Sequence, residues 1–358
     1  MVQLPERQTA LTFGNDGNLH VSHDAQVAQL KPDMIIVKTA VVSVNPVDTK
    51  MEAGFSKPGL IGGCDFAGVV VAVGSGVKRD VKVGDRISGA VMGSDPLDPS
   101  SGAFATYVSA PADITLTLPE NVPWSIGGAM STIWFTAGQA LFQNLLSELD
   151  VWPILRPAKE PKTVLVYGGS TSVGTTAIQL LKLAGLRPIT TCSPKNYELV
   201  KSYGAEEVFD YRSPSCAEDI KKATRNNLKY ALDCISTKSS IDICYGAIGR
   251  AGGHYTSLDP FWESTANTRK AIKATWIVGI SMLGKDIAWP PPYERPGNEE
   301  TRAFGGKLAQ ILQNILDEKK MRPHPLRVKE KATWEDVLSG LDEVKSGQVS
   351  GEKLVFVF

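Results

Sequence analysis

The chain has 358 residues, of which 42% are hydrophobic and 21% charged, and its formal net charge at pH 7 is zero. This length predicts two domains, and the balanced charge argues against nucleic acid or a membrane surface as the main partner. The first residues contain no apolar segment typical of a signal peptide, and no apolar run approaches the ~20 residues that span a bilayer. The five cysteines lack metal-ligand spacing, which favours reduced thiols in a cytoplasmic protein.

Residues 1–125 are rich in predicted strands and in turn-forming residues. Glycines at 74, 76 and 84 supply the turn chemistry between the strands. The pattern predicts a compact domain that resembles a β-barrel. The strand candidates are Met34–Val44, Phe66–Val73, Arg86–Ala90 and Phe104–Ser109.

The first strand–helix unit of the second half is the most informative stretch of the chain. Thr163-Val-Leu-Val-Tyr is a β-branched apolar run, and it ends at the pair Gly168-Gly169. A helical pattern without proline starts just before Gly174. A tight glycine turn between a strand and a helix places free N–H groups at a helix N-terminus, which binds a pyrophosphate. The glycine spacing departs from the commonest one, so the assignment depends on the strand and the helix around it.

Alternating strands and helices then continue through residues 126–296. Such alternation predicts an α/β fold with a doubly wound parallel sheet. Residues 297–358 add a helix over about Glu299–Lys319 and a strand, Lys353–Phe358, that we expect to return to the first domain. The remaining strand predictions are Arg187–Ser193, Glu207–Tyr211, Tyr230–Ser236, Gly252–Leu258 and Ala274–Leu283, and the helix predictions are Pro194–Tyr203, Ser215–Asn226 and Ser239–Ile248.

Four ordered motifs resemble the medium-chain dehydrogenase/reductase superfamily, in its zinc-independent quinone and enoyl reductase branch. They are Val42–Lys50, Gly62–Gly74, Val81–Arg86 and Val164–Gly174. The resemblance covers essentially the whole chain and implies a GroES-like catalytic domain beside a Rossmann domain. Three further segments resemble the fungal trans-acting enoyl reductases that serve polyketide synthases and polyketide–peptide hybrid synthases. These segments are Ala205–Arg212, Ala251–Phe261 and Ser350–Val355.

The zinc branch of the superfamily differs at the metal ligands. It has a cysteine where this chain has Asn45, and a His-Glu pair where it has Cys64 and Asp65. The four-cysteine lobe expected near residues 91–104 is also missing. A catalytic zinc needs three protein ligands, so we expect no metal. The resemblance then implies hydride addition to a conjugated double bond.

The end of the second Rossmann strand predicts NADPH as the cofactor. NAD-binding sheets place an acidic residue there, whereas this chain has Ser193, Pro194, Lys195 and Asn196. A hydroxyl, a cation and an amide suit a 2′-phosphate. Tyr211 resembles the family tyrosine near the adenine. The same four residues also suit a helix N-terminus with proline in its first turn, and both interpretations can hold together.

The resemblance implies further cofactor contacts at three places. The pyrophosphate is expected along Ser170, Thr171, Ser172 and Val173; the nicotinamide ribose near Asn45, Pro46, Val47 and Asp48; and closing segments at Leu258, Asp259, Val349 and Ser350. The alternative for Asn45-Pro46 is an ordinary turn.

Two polar residues are the catalytic candidates. Lys50 is placed to donate to a carrier phosphate, the cofactor ribose or the enolate, and Thr136 corresponds to a pocket position in the interdomain cleft. The alternatives are a solvated surface lysine and a threonine bonded to its own helix. The expected substrate-binding residues are Ile133, Trp134, Thr136, Gly279, Ile280, Ser281, Met282 and Leu283.

The resulting hypothesis is a trans-acting enoyl reductase. It would use NADPH to reduce the α,β-double bond of an enoyl thioester on the acyl carrier domain of a polyketide synthase or hybrid synthase, in fungal secondary metabolism. One alternative is a stand-alone NADPH:quinone or alkenal reductase, and another is a non-enzymatic, crystallin-like NADPH-binding protein. Four prolines within 284–297 would blunt the edge of the last Rossmann strand, so we expect a monomer.

Overall fold

A computed structural model describes residues 4–52, 54–55 and 57–358. The chain divides into two compact units. The first contains the residues up to Thr132 together with Ile280–Gln313 and Pro325–Phe358, and the second contains Ile133–Gly279 and Asn314–His324. Residues 280–296, which the sequence assigns to the Rossmann domain, therefore cluster with the first unit.

The strands and helices follow the order expected of a β-rich domain and a Rossmann domain. The strands are β1 (Arg7–Phe13), β2 (Leu19–Gln26), β3 (Met34–Ser43), β4 (Asp65–Val73), β5 (Arg86–Ala90), β6 (Tyr107–Pro111), β7 (Thr115–Thr117), β8 (Thr163–Tyr167), β9 (Arg187–Thr191), β10 (Glu207–Phe209), β11 (Tyr230–Asp233), β12 (Gly253–Ser257), β13 (Ile272–Trp276), β14 (Leu326–Glu330) and β15 (Lys353–Val357). The helices are α1 (Pro46–Glu52), α2 (Trp124–Gly138), α3 (Ser172–Leu183), α4 (Tyr197–Ser202), α5 (Cys216–Ala223), α6 (Lys238–Ala247), α7 (Glu263–Ala266), α8 (Glu299–Asp317) and α9 (Trp334–Lys345).

The first unit is built on a sheet in the order β14-β15-β3-β4-β5-β7, with β6 paired to β3, and on the hairpin β1-β2. Its core includes the fully buried side chains of Ile35, Val37, Phe66 and Ile87. The C-terminal strand returns to this sheet as predicted, because β15 pairs antiparallel with β3 at Val355↔Ser43. That return brings the residues of β15 beside the Asn45 turn that follows β3.

The second unit is a parallel six-stranded sheet in the order β10-β9-β8-β11-β12-β13. Its core combines strand residues such as Leu165 and Ala231 with Ile220 of α5 and Ile241 of α6. The strand order reverses between β8 and β11. Ligands of doubly wound sheets bind at the carboxyl ends of the strands at such a switch point. The topology therefore indicates the turn after β8 as the candidate ligand-binding turn.

The predicted last strand, Ala274–Leu283, is wrong in its extent. The observed strand β13 ends at Trp276, opposite Ser257, where its partner β12 also ends. Beyond that point a strand would have no partner for its ladder. The next segment, Gly279–Leu283, forms a 3₁₀ helix instead.

The proline-rich segment forms a loop of the first unit. Ile287 pairs with Arg295, and the buried Trp289 donates its indole N–H to the carbonyl oxygen of Ser94 at 3.0 Å. The prolines therefore do not continue strand β13, and the reason given for a monomer does not hold. The monomeric state itself stays a prediction.

Candidate functional site

The turn after β8 has the geometry of a phosphate-binding turn. Gly168 adopts a φ of +81°, which favours glycine. A Cβ on Gly169 would lie 1.9 Å from Oγ1 of Thr190, and a Cβ on Gly174 would lie 2.3 Å from the carbonyl oxygen of Gly168. The glycines are thus required for the turn itself and for packing helix α3 closely against it.

Free backbone donors line this turn. Thr171 is the N-cap of α3, and its hydroxyl accepts from the N–H of Gly174 at 3.0 Å. The N–H groups of Ser170, Ser172 and Val173 donate to no acceptor among the described residues. Orphan N–H groups and the positive end of a helix favour an anion. Of the four residues predicted to bind the pyrophosphate, Ser170, Ser172 and Val173 thus present unbonded backbone N–H groups. Thr171 instead stabilises the turn itself.

The end of strand β9 brings together the residues predicted to bind a 2′-phosphate. Ser193 donates its hydroxyl to Oη of Tyr211 at 3.4 Å. Lys195 is exposed and has no partner among the described residues. No carboxylate lies between Ser193 and Asn196, and Asp210 after β10 is paired with Arg212 at 3.2 Å. The surface at this strand end is thus hydroxyl-rich and cationic.

Arg212 is a neighbour that the sequence analysis missed. Its Cζ lies 5.9 Å from the centroid of the Tyr211 ring, so a second cation stands beside the predicted adenine contact. The signal was available, because a basic residue directly follows Tyr211 in the sequence. Its ion pair with Asp210 is exposed, and such pairs are weak and exchangeable.

An apolar residue beside the glycine turn was also missed. Ile235 is 44% exposed, and a Cβ on Gly168 would lie 2.9 Å from its side chain. Asp233 fixes the turn that carries Ile235, because its Oδ1 accepts from the N–H groups of Ile235 and Ser236, each at 2.9 Å. An exposed apolar side chain at the carboxyl end of β11 suits packing on a planar ring.

In the first unit, a buried polar cluster lies behind the Asn45–Asp48 turn. Asp65 is fully buried, and its Oδ2 accepts from Ser43 at 3.1 Å, from Asn45 at 2.9 Å and from the Nζ of Lys353 at 3.0 Å. The Nζ of Lys353 also donates to Oδ1 of Asn45. The cluster joins the end of β3, the start of β4 and strand β15.

Both the oxygen and the nitrogen of the Asn45 side-chain amide form hydrogen bonds within this cluster. Its Oδ1 accepts from Lys353 and its Nδ2 donates to Asp65, and the residue is 4% exposed. The outward surface of the turn is formed by Pro46, which is exposed, and Val47, which is half-buried. Contact of this turn with the nicotinamide ribose stays a prediction, and Pro46 and Val47 are the residues placed to make it.

Asp48 caps helix α1 from inside the fold. Its Oδ2 accepts from the N–H of Asn45 at 2.7 Å, which is the reciprocal bond of a capping box. Its Oδ1 has no hydrogen-bond partner of ordinary geometry in the described part of the chain. Burial raises the pKa of Asp48 to about 7, although the Asn45 N–H, the nearby Cys64 thiol and Lys353 each lower it.

This raised pKa predicts a pH-dependent stability that Asp48→Asn removes. Between the ordinary aspartate pKa of 3.8 and the folded-state pKa of about 7, the folded protein retains a proton at Asp48 that the unfolded chain has lost. The free energy of unfolding therefore falls as the pH rises through that window. The slope from this group is at most about 1.4 kcal/mol per pH unit. Urea unfolding of both proteins between pH 5 and pH 8 measures it, and equal slopes would contradict the assignment. Asp95 and Asp233, whose pKa values burial also raises, are common to both proteins.

The two catalytic candidates lie in different units. Lys50 is an exposed residue of helix α1 in the first unit. Thr136 is half-buried in α2, and its Oγ1 lies 2.9 Å from where a Cβ on Gly279 would stand. The Thr136 hydroxyl therefore packs closely against Gly279, and a larger residue at that position would displace it. Their catalytic roles stay predictions.

The other predicted substrate and closing residues vary in exposure. Four of them are buried: Ile133, Trp134, Met282 and Leu283. Half-buried or exposed positions remain available for contacts, and they are Leu258, Asp259, Ile280, Ser281, Val349 and Ser350.

The cysteines behave as structural thiols. All five are free, and four of them are buried. Burial raises the pKa of Cys192 and of Cys216 to about 11, and it raises the pKa of Cys64 as well. Thiols with raised pKa values are poor nucleophiles and poor metal ligands.

Two family models match the chain in the order of its two folds. The alcohol dehydrogenase GroES-like domain matches residues 31–120, and the zinc-binding dehydrogenase domain matches residues 172–258. Among solved structures, the CurK enoyl reductase has a TM-score of 0.72 at 17% identity, and the alignment covers 98% of each chain. A mycobacterial quinone oxidoreductase has a TM-score of 0.69 at 20% identity, over 98% of this chain and 100% of the other. A mycobacterial protein solved in complex with NADPH has a TM-score of 0.73 at 20% identity, with the same coverage.

Curated relatives are far more similar in sequence. The trans-enoyl reductase mpsG of Macrophomina phaseolina is 73% identical over 100% of both chains. The trans-enoyl reductase eqxC of Fusarium heterosporum is 49% identical over 99% of both chains.

The parallel Rossmann sheet and the GroES-like unit define a medium-chain dehydrogenase/reductase. Within that class, the identity to the two trans-enoyl reductases over the full length of each chain determines the family. The chain belongs to the family of fungal trans-enoyl reductases.

The zinc implied by the second family description does not fit the residues present. Asn45 offers an amide that is already bound at both ends, Cys64 is a buried thiol with a raised pKa, and Asp65 is paired with Lys353. No cluster of three His, Cys, Asp or Glu residues is placed to hold a metal in residues 4–52, 54–55 and 57–358. The same described part of the chain contains no helix long and apolar enough to cross a membrane.

Proposed function

We propose that this protein is a trans-acting enoyl reductase that uses NADPH to reduce the α,β-double bond of a polyketide enoyl thioester carried by a partner synthase. The observation that carries the proposal is the 73% identity, over the whole of both chains, to a trans-enoyl reductase. A fold shared with quinone oxidoreductases alone would leave the substrate class open.

The second unit offers hydrogen-bond donors suited to the phosphates of nicotinamide adenine dinucleotide phosphate. The free N–H groups of Ser170, Ser172 and Val173 would hold the pyrophosphate, and Ser193, Lys195 and Tyr211 would hold the 2′-phosphate end. When bound, the reduced nicotinamide supplies the hydride for the β-carbon of the substrate. The chain itself must orient the substrate, exclude water and stabilise the negative charge on the thioester oxygen.

The polar groups for that task are few. Lys50 is an exposed residue of helix α1, and the half-buried Thr136 presents a hydroxyl beside Gly279. Either group can donate a hydrogen bond to an enolate oxygen. Among the predicted substrate-binding residues, the half-buried Ile280 offers apolar surface for an acyl chain.

The proposal is tested by following the oxidation of NADPH in the presence of an enoyl thioester of pantetheine, and of a simple quinone as comparison. Turnover of the thioester with little turnover of the quinone is expected. Turnover of the quinone alone would instead support the stand-alone quinone reductase. Tight NADPH binding with no turnover of either substrate would support the non-enzymatic binding protein.

The partner in this proposal is the carrier domain of a polyketide synthase or hybrid synthase. The names of the full-length relatives describe reductases that act in trans, and such an enzyme must receive its substrate from another protein. Pull-down of the protein by the isolated carrier domain, with an unrelated carrier domain as control, measures the interaction.

Lys195→Ala is expected to reduce the preference for NADPH. The lysine has no partner among the described residues, and its loss removes a charge-assisted hydrogen bond worth about 1.5–3 kcal/mol. The kcat/KM for NADPH should fall roughly 10- to 100-fold, while that for NADH stays unchanged. Lys201→Ala is the control, because Lys201 lies on α4 and is paired with Glu198 at 3.4 Å. An equal loss with both cofactors would contradict the assignment.

A further inference from the structure

The side chain of Lys353 is an unusual feature of this fold. It is 4% exposed, and it forms an ion pair at 3.0 Å with Asp65, which is fully buried. Removing two charges from water costs several kcal/mol for each ion, and a well-packed hydrophobic pair often gives equal or greater stability. Stability alone is therefore a weak reason for such a pair.

The ammonium lies at the positions that differ from the zinc branch. It bonds Asn45 and Asp65, and positions 45 and 64–65 are those at which that branch has Cys and His-Glu. These residues do not suit a zinc ion, but they enclose the ammonium group of Lys353, which belongs to strand β15. A lysine ammonium in the interior can orient the oxygen atoms around it.

We propose that Lys353 is a positioning residue that acts as a fixed internal cation and orders the Asn45–Asp48 turn for catalysis. The ammonium fixes Oδ1 of Asn45, while Asp65 fixes its Nδ2. The backbone adds a second connection, because the N–H of Val44 donates to the carbonyl oxygen of Leu354 at 3.2 Å. These three hydrogen bonds tie the turn to strands β4 and β15.

A hydrogen bond connects the Asn45 turn to helix α1. The N–H of Asn45 donates to Oδ2 of Asp48 at 2.7 Å, which closes the first turn of the helix. The same helix carries Lys50, and Pro46 and Val47 form its outward surface. The cation in the interior would thus fix both the turn predicted to contact the nicotinamide ribose and the helix that carries Lys50.

The acidic groups around the Lys353 ammonium outnumber it. Two carboxyl groups face it, since Asp65 is bonded to it and Asp48 is close enough for the ammonium to lower the pKa of its carboxyl. The Cys64 thiol, whose pKa burial raises, adds no charge at neutral pH. Removal of the ammonium therefore leaves two acidic groups in the interior without a cation.

This inference rests on the proposed function, and a set of variants separates the two. Lys353→Met and Asp65→Asn each leave one charge unpaired, whereas the double variant K353M/D65N removes both charges together. We expect the double variant to recover much of the stability that the single variants lose. The readouts are urea unfolding, NADPH affinity measured by nucleotide fluorescence, and kcat with an enoyl thioester.

A split between binding and catalysis is expected in the double variant. NADPH affinity should stay within about threefold, because the phosphate contacts lie in the other unit, whereas kcat should fall by about tenfold or more as the turn loses its orientation. A folded double variant with wild-type kcat would overturn the proposal. Lys329→Met is the matched control, since Lys329 lies on the neighbouring strand β14 and is 56% exposed; it should leave both readouts unchanged.

A second variant decides the matter even if the double variant does not fold. Asn45→Ala removes the amide through which the cation acts but leaves the Lys353–Asp65 ion pair intact. The same selective loss of kcat is expected, and wild-type kcat in this variant would refute the proposed role. Failure of the proposed function is recognised separately, because then the wild-type protein itself does not reduce the thioester, while NADPH affinity and the energetic coupling of Lys353 with Asp65 can still be measured.

Discussion

Gly174→Ala is expected to abolish measurable NADPH binding, with a loss of more than about 100-fold in affinity. A Cβ at this position would lie 2.3 Å from the carbonyl oxygen of Gly168 and 2.8 Å from Cα of Gly169. Both obstacles are backbone atoms, so neither can rotate away. Either α3 withdraws from the turn or the turn opens, and both changes displace the N–H groups of Ser172 and Val173 from a common phosphate. Nucleotide fluorescence titration measures the loss.

The control for this change is another glycine-to-alanine substitution in a helix. Gly306 lies within α8, where the nearest atom to a new Cβ is Oδ2 of Asp113 at 3.9 Å. Gly306→Ala should therefore be neutral or should stabilise the protein by about 0.5–1 kcal/mol, with unchanged affinity for NADPH. Wild-type affinity in Gly174→Ala would mean that the turn after β8 does not bind the pyrophosphate.

Asp65→Ala is expected to be the most destabilising single change in the first unit, by about 3–5 kcal/mol. The variant leaves the Lys353 ammonium buried without a counter-charge. It also removes the acceptor of Ser43, of Asn45 and of the N–H of Thr132, the last at 2.8 Å. Denaturant unfolding measures the effect. Loss of so much stability should also make the protein difficult to express.

An exposed aspartate in the same unit provides the comparison. Asp80 is exposed and has no interaction with a described residue, so Asp80→Ala should change the free energy of unfolding by less than about 0.5 kcal/mol. A similar small change in Asp65→Ala would show that Lys353 finds another partner or that the interior admits water.

Most of the fold could be predicted from local patterns. The parallel Rossmann order follows from the alternation of apolar strands with helices between 163 and 276, and the turn after β8 follows from its two glycines. The extent of the last strand could not be predicted, because Ile277 and Val278 are as apolar as a strand residue and only the end of the partner strand β12 at Ser257 limits the ladder. Strand termination there is a property of the sheet rather than of the segment.

The candidate site was predictable in part, and the reason lies in the range of its contacts. Ser193 and Tyr211 are separated by 18 residues, and each marks a strand end that the sequence identifies. The link from Lys353 to Asn45 spans 308 residues, and neither local segment identifies the other as its partner. A lysine in a short hydrophobic strand was the available signal. Its partners become evident only when β15 pairs with β3.

In the proposed function, the protein reduces a carrier-bound enoyl chain supplied by a partner synthase. The most direct test loads an isolated carrier domain with an enoyl thioester, adds the protein and NADPH, and weighs the carrier by intact mass spectrometry. We expect the acyl chain to gain two hydrogen atoms, and this gain to require both the protein and NADPH. A carrier of unchanged mass, in the presence of protein that binds NADPH, would show that the protein does not reduce carrier-bound enoyl chains.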